Sequence, residues 1–288
     1  MQLLTLKNTD QCLLPNLIII GAMKCGTTSL HHYLNLHPQI FMSRQKELHF
    51  FVEQKNWTKG IEWYKSHFNS QAKIRGETSP SYTGYPKWTG VPEKIYSLVP
   101  DAQLIYILRD PIERVISHYL HRYAAGVENR SINDALADFE SDYILRSKYY
   151  FQLQQYLNYF PKSNILIITL EDLNHNPQAT LKKIFKYLNI DENLEIETNS
   201  KQFHKSTSKI RKNSLGFFIS KMPLIHRISQ LPHEIRWQVE NILYSPFAQQ
   251  IEKPTLDENL RQKLIEYFKE DINALRDETG QDFQKWSL

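Results

Sequence analysis

Residues 17–30 read LIIIGAMKCGTTSL. An aliphatic run ends at Gly21, and Lys24, Cys25, Gly26, Thr27, Thr28 and Ser29 follow. Where a strand passes through such a loop into a helix, the first helical N–H groups have no intrahelical acceptor. The helix dipole then favours an anion at that end. Glycines let the backbone turn and approach the anion closely. The hydroxyls add donors and Lys24 adds a full positive charge, so the chemistry is that of holding a phosphate-like group. Gly21 and Gly26 keep the glycine spacing of G-x-x-x-x-G-K-[ST], but Thr27 follows Gly26 and the lysine stands two positions before it. The lysine does not stand where the usual magnesium arrangement has it, no convincing Walker B strand ends in an acidic metal ligand, and no H-E-x-x-H occurs. No metal is expected. A plain strand–helix turn with an exposed lysine is the alternative.

The elements that must position this loop are legible from hydropathy. Leu17–Ile20, Gln103–Leu108 and Asn164–Leu170 are short aliphatic runs of the kind that form strands covered on both faces; Lys73–Glu77 is a fourth candidate. Leu30, Tyr33, Leu34 and His37 repeat at helical spacing, as do Ile112, Val115, Ile116 and Tyr119. Asp110-Pro111-Ile112-Glu113 opens the second helix, with Asp as N-cap, Pro at N1 and Glu at N3. Further helices are expected over 143–159, after Pro177, and from Leu256 to Glu278 before Gly280. Strands alternating with helices predict an α/β fold: a P-loop-like, doubly wound, mainly parallel sheet with helices on both faces. One domain is expected over 1–288, with an α/β nucleotide-binding core at 15–190. Residues 191–288 form a helical and loop C-terminal part.

Composition narrows the function classes. The 288 residues are 41% hydrophobic and 12% aromatic, which suits a sizeable core and argues against disorder. A net charge of +4 without dense Lys/Arg stripes suits an anionic ligand and argues against a nucleic-acid partner. Two cysteines, Cys12 and Cys25, build no disulfide framework. The run Leu17–Met23 is too short to span a bilayer, and no signal-peptide pattern precedes it, so no transmembrane segment and a cytoplasmic location are expected.

The stretch NLIIIGAMKCGTTSL resembles the 5′-phosphosulfate loop of sulfotransferases that use 3′-phosphoadenosine 5′-phosphosulfate (PAPS). YILRDPIERVISHYLHRY, residues 106–123, is similar to their 3′-phosphate segment. KELHFF at 46–51 resembles the K-E-x-H-F-F segment of the glycan-modifying and bacterial branches, and RGETSPSY at 75–82 the G-E-x-[ST]-P-x-Y strand and turn. Residues 147–177 and the C-terminal LIEYFKEDINALRDETGQDFQKW fit as well. The likeness covers most of residues 15–286.

The resemblance implies a PAPS-dependent transfer of a sulfuryl group to an acceptor hydroxyl, on a carbohydrate, a lipid or a small molecule. Lys24 then serves the bridging and leaving oxygens. Backbone N–H groups around Cys25–Thr28 and the hydroxyls of Thr27, Thr28 and Ser29 hold the 5′-phosphate. Arg109 and Ser117 hold the 3′-phosphate, with Lys209 and Arg211 as candidates from a late basic loop. The family's general base maps to Glu47, whose pKa would need to be lifted by burial beside Phe50 and Phe51. His49 orients the acceptor, supports Glu47 or is the base itself. Each residue has a plainer alternative: an ion pair with Asp110 or Glu113 for Arg109, a surface serine for Ser117, a solvated charge for Glu47, a packed loop histidine for His49. Thr78 stands where glycan-specific members often carry a lysine, which leaves Lys24 more alone; Glu77 is a second acidic candidate for the cleft. Aromatics at Trp57, Trp63, Tyr64, Tyr82, Tyr85 and Trp88 form either a stacking wall or core. A P-loop nucleotide or small-molecule kinase and a non-catalytic nucleotide-binding protein remain the competing readings.

Overall fold

A computed structural model describes residues 14–197, 210–212 and 248–288. Five strands, β1 Leu17–Gly21, β2 Ile40–Met42, β3 Ile74–Thr78, β4 Gln103–Leu108 and β5 Ile165–Thr169, form one sheet in the order β2-β3-β1-β4-β5. Every pairing in it is parallel. The aliphatic runs follow from this, because alternate residues face opposite layers. Ile18, Ile20, Leu104, Tyr106 and Leu108 pack into one cluster and Leu17, Ile19, Ile105 and Ile107 into another.

The helices divide between those layers. Thr27–Asn35 (α1) packs Leu30 and Leu34 on the second cluster. On the first lie Gly60–Lys65 (α2), Val91–Leu98 (α3) and Pro111–Ala124 (α4). Ile132–Leu136 (α5), Asp142–Leu145 (α6) and Tyr149–Leu157 (α7) join them there. Leu170–His175 (α8) and Pro177–Tyr187 (α9) follow β5 on the second face, where Leu181, Ile184 and Phe185 are buried. Glu258–Thr279 (α10) returns to the first face through Leu264, Phe268, Ile272 and Leu275, and Gly280 ends it at φ 66°. A separate antiparallel pair joins Ile210–Lys212 (β6) to Ala248–Gln250 (β7).

Three boundaries differ from expectation. The fourth predicted strand stops at Thr169, because the Thr169 hydroxyl accepts the Asp172 N–H at 3.0 Å and caps a helix that begins at Leu170. The helix expected over 143–159 is two helices, α6 and α7. Between them the Ser147 side chain is buried and takes the Arg114 guanidinium. The strand β2 has three residues and no sequence pattern of its own. Of the helical and loop part expected over 191–288, residues 198–209 and 213–247 lie outside the described residues; the part described includes the β6–β7 pair.

β1 has its two sequence-later neighbours, β3 and β4, on opposite sides. In an open parallel sheet the crevice beyond the strand ends at such a reversal is where ligands bind. The loop after β1, the end of β3 and the end of β4 all meet there.

Candidate active site

The loop is fixed at its start by the Ala22 N–H, which donates to Ile107 O at 2.7 Å, and closed by the Cys25 N–H, which donates to Ala22 O at 3.2 Å. Lys24 and Gly26 have φ of 74° and 84°, and α1 begins at the next residue with no acidic side chain in its first turn. The N–H groups of Thr27, Thr28 and Ser29 therefore open onto the loop without an intrahelical acceptor. Packing also requires both glycines. A Cβ on Gly21 would meet Thr83 Oγ1 at 2.0 Å and one on Gly26 would meet Leu170 Cδ1 at 2.5 Å. Cys25 corrects its expected role. Its thiol is buried, faces the Tyr149 hydroxyl at 3.7 Å, and is pushed up to about 11 by burial, while its N–H is already used. Its side chain packs the loop and its N–H closes it.

Residues 43–51 run beside the end of β3. The Glu47 N–H donates to Thr78 O at 2.9 Å, and the His49 N–H to Ser79 Oγ at 3.0 Å. Glu47 and His49 have φ of 63° and 50°. Among the described residues, five non-glycine positions lie in this left-handed region, and three of them are Lys24, Glu47 and His49. Each costs on the order of 1–2 kcal/mol, a strain that the surrounding packing must hold. Phe50 and Phe51 supply that hold. Both are buried, and Phe50 stacks on Tyr64 at 4.2 Å with Trp57 and Trp63 around it. Trp57, Trp63, Tyr64 and Tyr82 are thus an aromatic core, while Tyr85 and Trp88 line a cleft.

Glu47 does not follow its aromatic neighbours inward. Its side chain is 48% exposed, with Lys46 Nζ at 2.9 Å from Oε1 and His49 Nε2 at 3.4 Å from Oε2. The expected upward shift is corrected: the His49 contact, then Lys46, outweigh burial and hold the carboxyl well below the ordinary range. Burial lowers the Lys24 ammonium, and the Glu47 charge opposes that, so the two groups share one electrostatic neighbourhood. Lys46 and Arg109 also act on Lys24.

Glu77 is not in the cleft. It is fully buried, accepts from Tyr64 at 2.5 Å, Ser79 at 2.9 Å and Tyr82 at 2.9 Å, and burial pushes it up to about 7. It braces the turn that carries Ser79 and Ser81. Thr78 bonds His31 Nδ1 of α1 at 2.9 Å, and burial, aided by Lys46, lowers that imidazole to about 4.

At the end of β4 the Arg109 guanidinium pairs with Glu113 at 3.0 Å, not with Asp110. Asp110 instead caps α4, accepting from Ile112 and Glu113 N–H, and takes the Ser287 N–H at 2.5 Å. Ser117 is 7% exposed on α4, not a surface serine. Lys209 lies outside the described residues, and Arg211 stands in β6 opposite Gln249. Among the described residues no cluster of three His, Cys, Asp or Glu could hold a metal ion, and no helix is long and apolar enough to cross a membrane.

Several participants carry no sequence signal. Arg114 is fully buried and donates to Met23 O at 3.4 Å, Tyr143 O and Ser147. The Tyr149 hydroxyl donates to Arg109 O at 2.7 Å while touching Cys25, which ties the loop to the β4 end. His49 Nδ1 meets Ser81 Oγ at 2.6 Å.

Comparison with known proteins agrees with this geometry. The sulfotransferase domain family matches residues 14–273. A mouse protein named heparan sulfate glucosamine 3-O-sulfotransferase 5 is 34% identical over 190 residues, which are 62% of this chain and 54% of that one. A bovine bifunctional heparan sulfate N-deacetylase/N-sulfotransferase 2 is 32% identical over 199 residues, 62% of this chain and 22% of that one. The chain thus spans about half of the first relative and about a fifth of the second. A solved sulfotransferase from Alicyclobacillus acidocaldarius superposes with a TM-score of 0.69 at 22% identity, covering 95% of this chain and 99% of that one. Mouse sulfotransferase SULT7A1, solved with PAP, superposes at 0.51 and 15% identity, covering 90% and 84%. Those two share the fold. With the family match extending over residues 14–273, the chain belongs to the sulfotransferase domain family.

Proposed function

We propose that the chain moves a sulfuryl group from PAPS to the hydroxyl of a glycan-type acceptor, with Glu47 as general base. The observation that carries this reading is the shared neighbourhood of Lys24 and Glu47 at the strand ends, beside the N-terminus of α1. The residues fit a nucleotide with phosphates at both ends: free N–H groups and hydroxyls follow Gly26, no acidic side chain sits in the first turn of α1, and Arg109 and Ser117 stand on the next strand–helix unit.

In this mechanism Thr27, Thr28, Ser29 and the α1 N–H groups hold the 5′-phosphate. Arg109 and Ser117 hold the 3′-phosphate. As the acceptor oxygen bonds to sulfur, the bond from sulfur to the phosphate oxygen breaks, and Lys24 stabilises charge on that leaving oxygen. The acceptor proton passes to Glu47. Its low pKa makes it a weak base at rest but keeps it ionised, and the acceptor hydroxyl becomes acidic only as the new bond forms. By analogy with phosphoryl transfer, positioning and electrostatics do most of the work.

A carbohydrate acceptor is supported by a cleft of about 100 Å³ lined by Tyr85, Trp88, Gln155 and Tyr159 among others. Lys55 and Lys87 lie 5.6 and 5.3 Å from the Trp88 ring centre. Aromatic faces and amides suit sugar rings and hydroxyls, and the named relatives act on heparan sulfate. The cleft itself does not contain Lys24, Glu47 or His49.

The test is a melting experiment with adenosine 3′,5′-bisphosphate against ADP plus magnesium, followed by transfer assays on Glu47→Gln. A ligand at 100 times its dissociation constant adds about 2.7 kcal/mol. Stabilisation by the bisphosphate, with transfer lost and affinity retained in the variant, is expected. Stabilisation by ADP and magnesium alone would overturn the donor, and surviving transfer would remove Glu47 from its role.

A further inference from the structure

His49 is held at three points. Its N–H donates to Ser79 Oγ at 3.0 Å, its Nδ1 meets Ser81 Oγ at 2.6 Å, and its Nε2 faces Glu47 Oε2 at 3.4 Å. Ser79 in turn donates to the buried Glu77, and Ser81 is itself buried, so the holding side is rigid. The backbone of His49 is left-handed at φ 50°, a conformation that aims the ring and that these contacts must maintain. Ser81 occupies the second unspecified position of the G-E-x-[ST]-P-x-Y pattern.

Proton placement follows from the partners. An ionised carboxylate can only accept, so His49 Nε2 carries the hydrogen that faces Glu47. In the neutral ring Nδ1 is then a bare acceptor, and the Ser81 hydroxyl donates to it. We infer that Ser81 is a positioning residue: the Glu47 carboxylate sets the Nε2–H tautomer, and the Ser81 hydroxyl, donating to the bare Nδ1, holds the His49 ring so that this N–H stays on Glu47. The inference rests on the role proposed for Glu47. The other charged groups around the pair are Lys46 on the same segment, Lys24 from the loop, Lys55, whose charge interacts with Glu47, and Glu77 behind Ser79.

The test uses Ser81→Ala and Ser81→Thr in the full chain. Nitrogen-15 NMR of the His49 ring, above its titration, reports the tautomer without any turnover. The wild type should show a protonated Nε2 and a bare Nδ1. Ser81→Ala should move the Nδ1 resonance downfield, because the bare nitrogen loses its donor, and Ser81→Thr should restore it. In transfer assays Ser81→Ala should lower kcat roughly 2- to 10-fold, the worth of one neutral hydrogen bond, with KM for PAPS unchanged. Its acid limb should move to higher pH, because Glu47 loses the donor that lowers its pKa. An unchanged melting shift with adenosine 3′,5′-bisphosphate shows that the variant is folded. An unmoved Nδ1 resonance in Ser81→Ala, or a protonated Nδ1 in the neutral wild-type ring, overturns the inference whatever the activity. A moved Nδ1 resonance in a protein that transfers nothing to any acceptor supports the grip on His49 and counts against the proposed reaction instead.

Discussion

The Arg109 guanidinium and the Glu113 carboxylate lie 3.0 Å apart across the first turn of α4. Lys253 Nζ contacts the same carboxylate at 3.0 Å. A phosphate approaching Arg109 must share it with Glu113. Half-exposed ion pairs of this kind contribute about 0–1 kcal/mol, whereas a charge-assisted bond from Arg109 to a phosphate contributes roughly 1.5–3 kcal/mol. Glu113→Gln should therefore tighten adenosine 3′,5′-bisphosphate binding by less than about 5-fold, and Arg109→Ala should weaken it by roughly 10- to 100-fold. Calorimetric titration with adenosine 5′-phosphate is the control. If Arg109→Ala weakens both ligands equally, the guanidinium does not read the 3′-phosphate.

Glu77 gives a stability prediction with a definite sign. Burial raises it from an ordinary value near 4.5 to about 7, against three hydroxyls that favour ionisation. Between those values the folded chain keeps a proton that the unfolded chain has released. Stability is thus lost as pH rises toward 7, by at most about 1.4 kcal/mol per unit. Asp271, raised to about 6 by burial, has the same sign over a lower window. Between pH 6 and 7 the wild type should lose melting temperature faster than Glu77→Gln. Parallel curves in that window would mean that Glu77 is ionised throughout.

Gly26 is tested by geometry. Alanine there must accept φ 84° and a Cβ contact of 2.5 Å to Leu170. The left-handed backbone alone costs roughly 1–2 kcal/mol. Gly26→Ala should lower the melting temperature and weaken bisphosphate binding. Adding Leu170→Ala should recover the contact part and not the backbone part. Full recovery in the double variant would show that the backbone conformation is not needed.

The fold was readable where one physical rule dominates. Leu17–Ile20 and Gln103–Leu108 are covered on both faces, so hydropathy alone marks them, and Asp110 caps α4 through the two N–H groups that its spacing from Pro111 implies. The break between α6 and α7 was not readable, because Ser147 turns inward to meet Arg114, a residue 33 positions away. The site divides in the same way. The loop from Gly21 to Ser29 announces its chemistry by residue type. The direction of Glu47 does not follow from its neighbours. Phe50 and Phe51 go into the core, but left-handed backbone at 47 and 49 leaves the carboxylate outside, between Lys46 and His49. Sequence proximity to aromatics therefore suggests the wrong sign for its pKa. Cys25 is another case: residue type gives its N–H to a phosphate, and in the structure that N–H donates to Ala22 O.

Trp88 separates acceptor binding from nucleotide binding. It lines the cleft with Tyr85 and Tyr159, and carries Lys55 and Lys87 near its ring. Burial lowers the Lys55 ammonium, and the Glu47 charge opposes that. Cation–π contacts at exposed sites are worth about 0.5–1 kcal/mol, and the half-buried ring also packs against the core, so the melting temperature of the variant is measured beside its kinetics. A sugar face stacked on Trp88 would lose most of its apolar contact. Trp88→Ala should raise KM for a saccharide acceptor strongly, leave kcat at saturation nearly unchanged, and leave adenosine 3′,5′-bisphosphate affinity untouched. That pattern marks binding shared by ground and transition states. A fall in kcat without a change in KM would put Trp88 in the alignment of the reacting hydroxyl with Glu47. No effect on either constant would move the acceptor out of this cleft altogether.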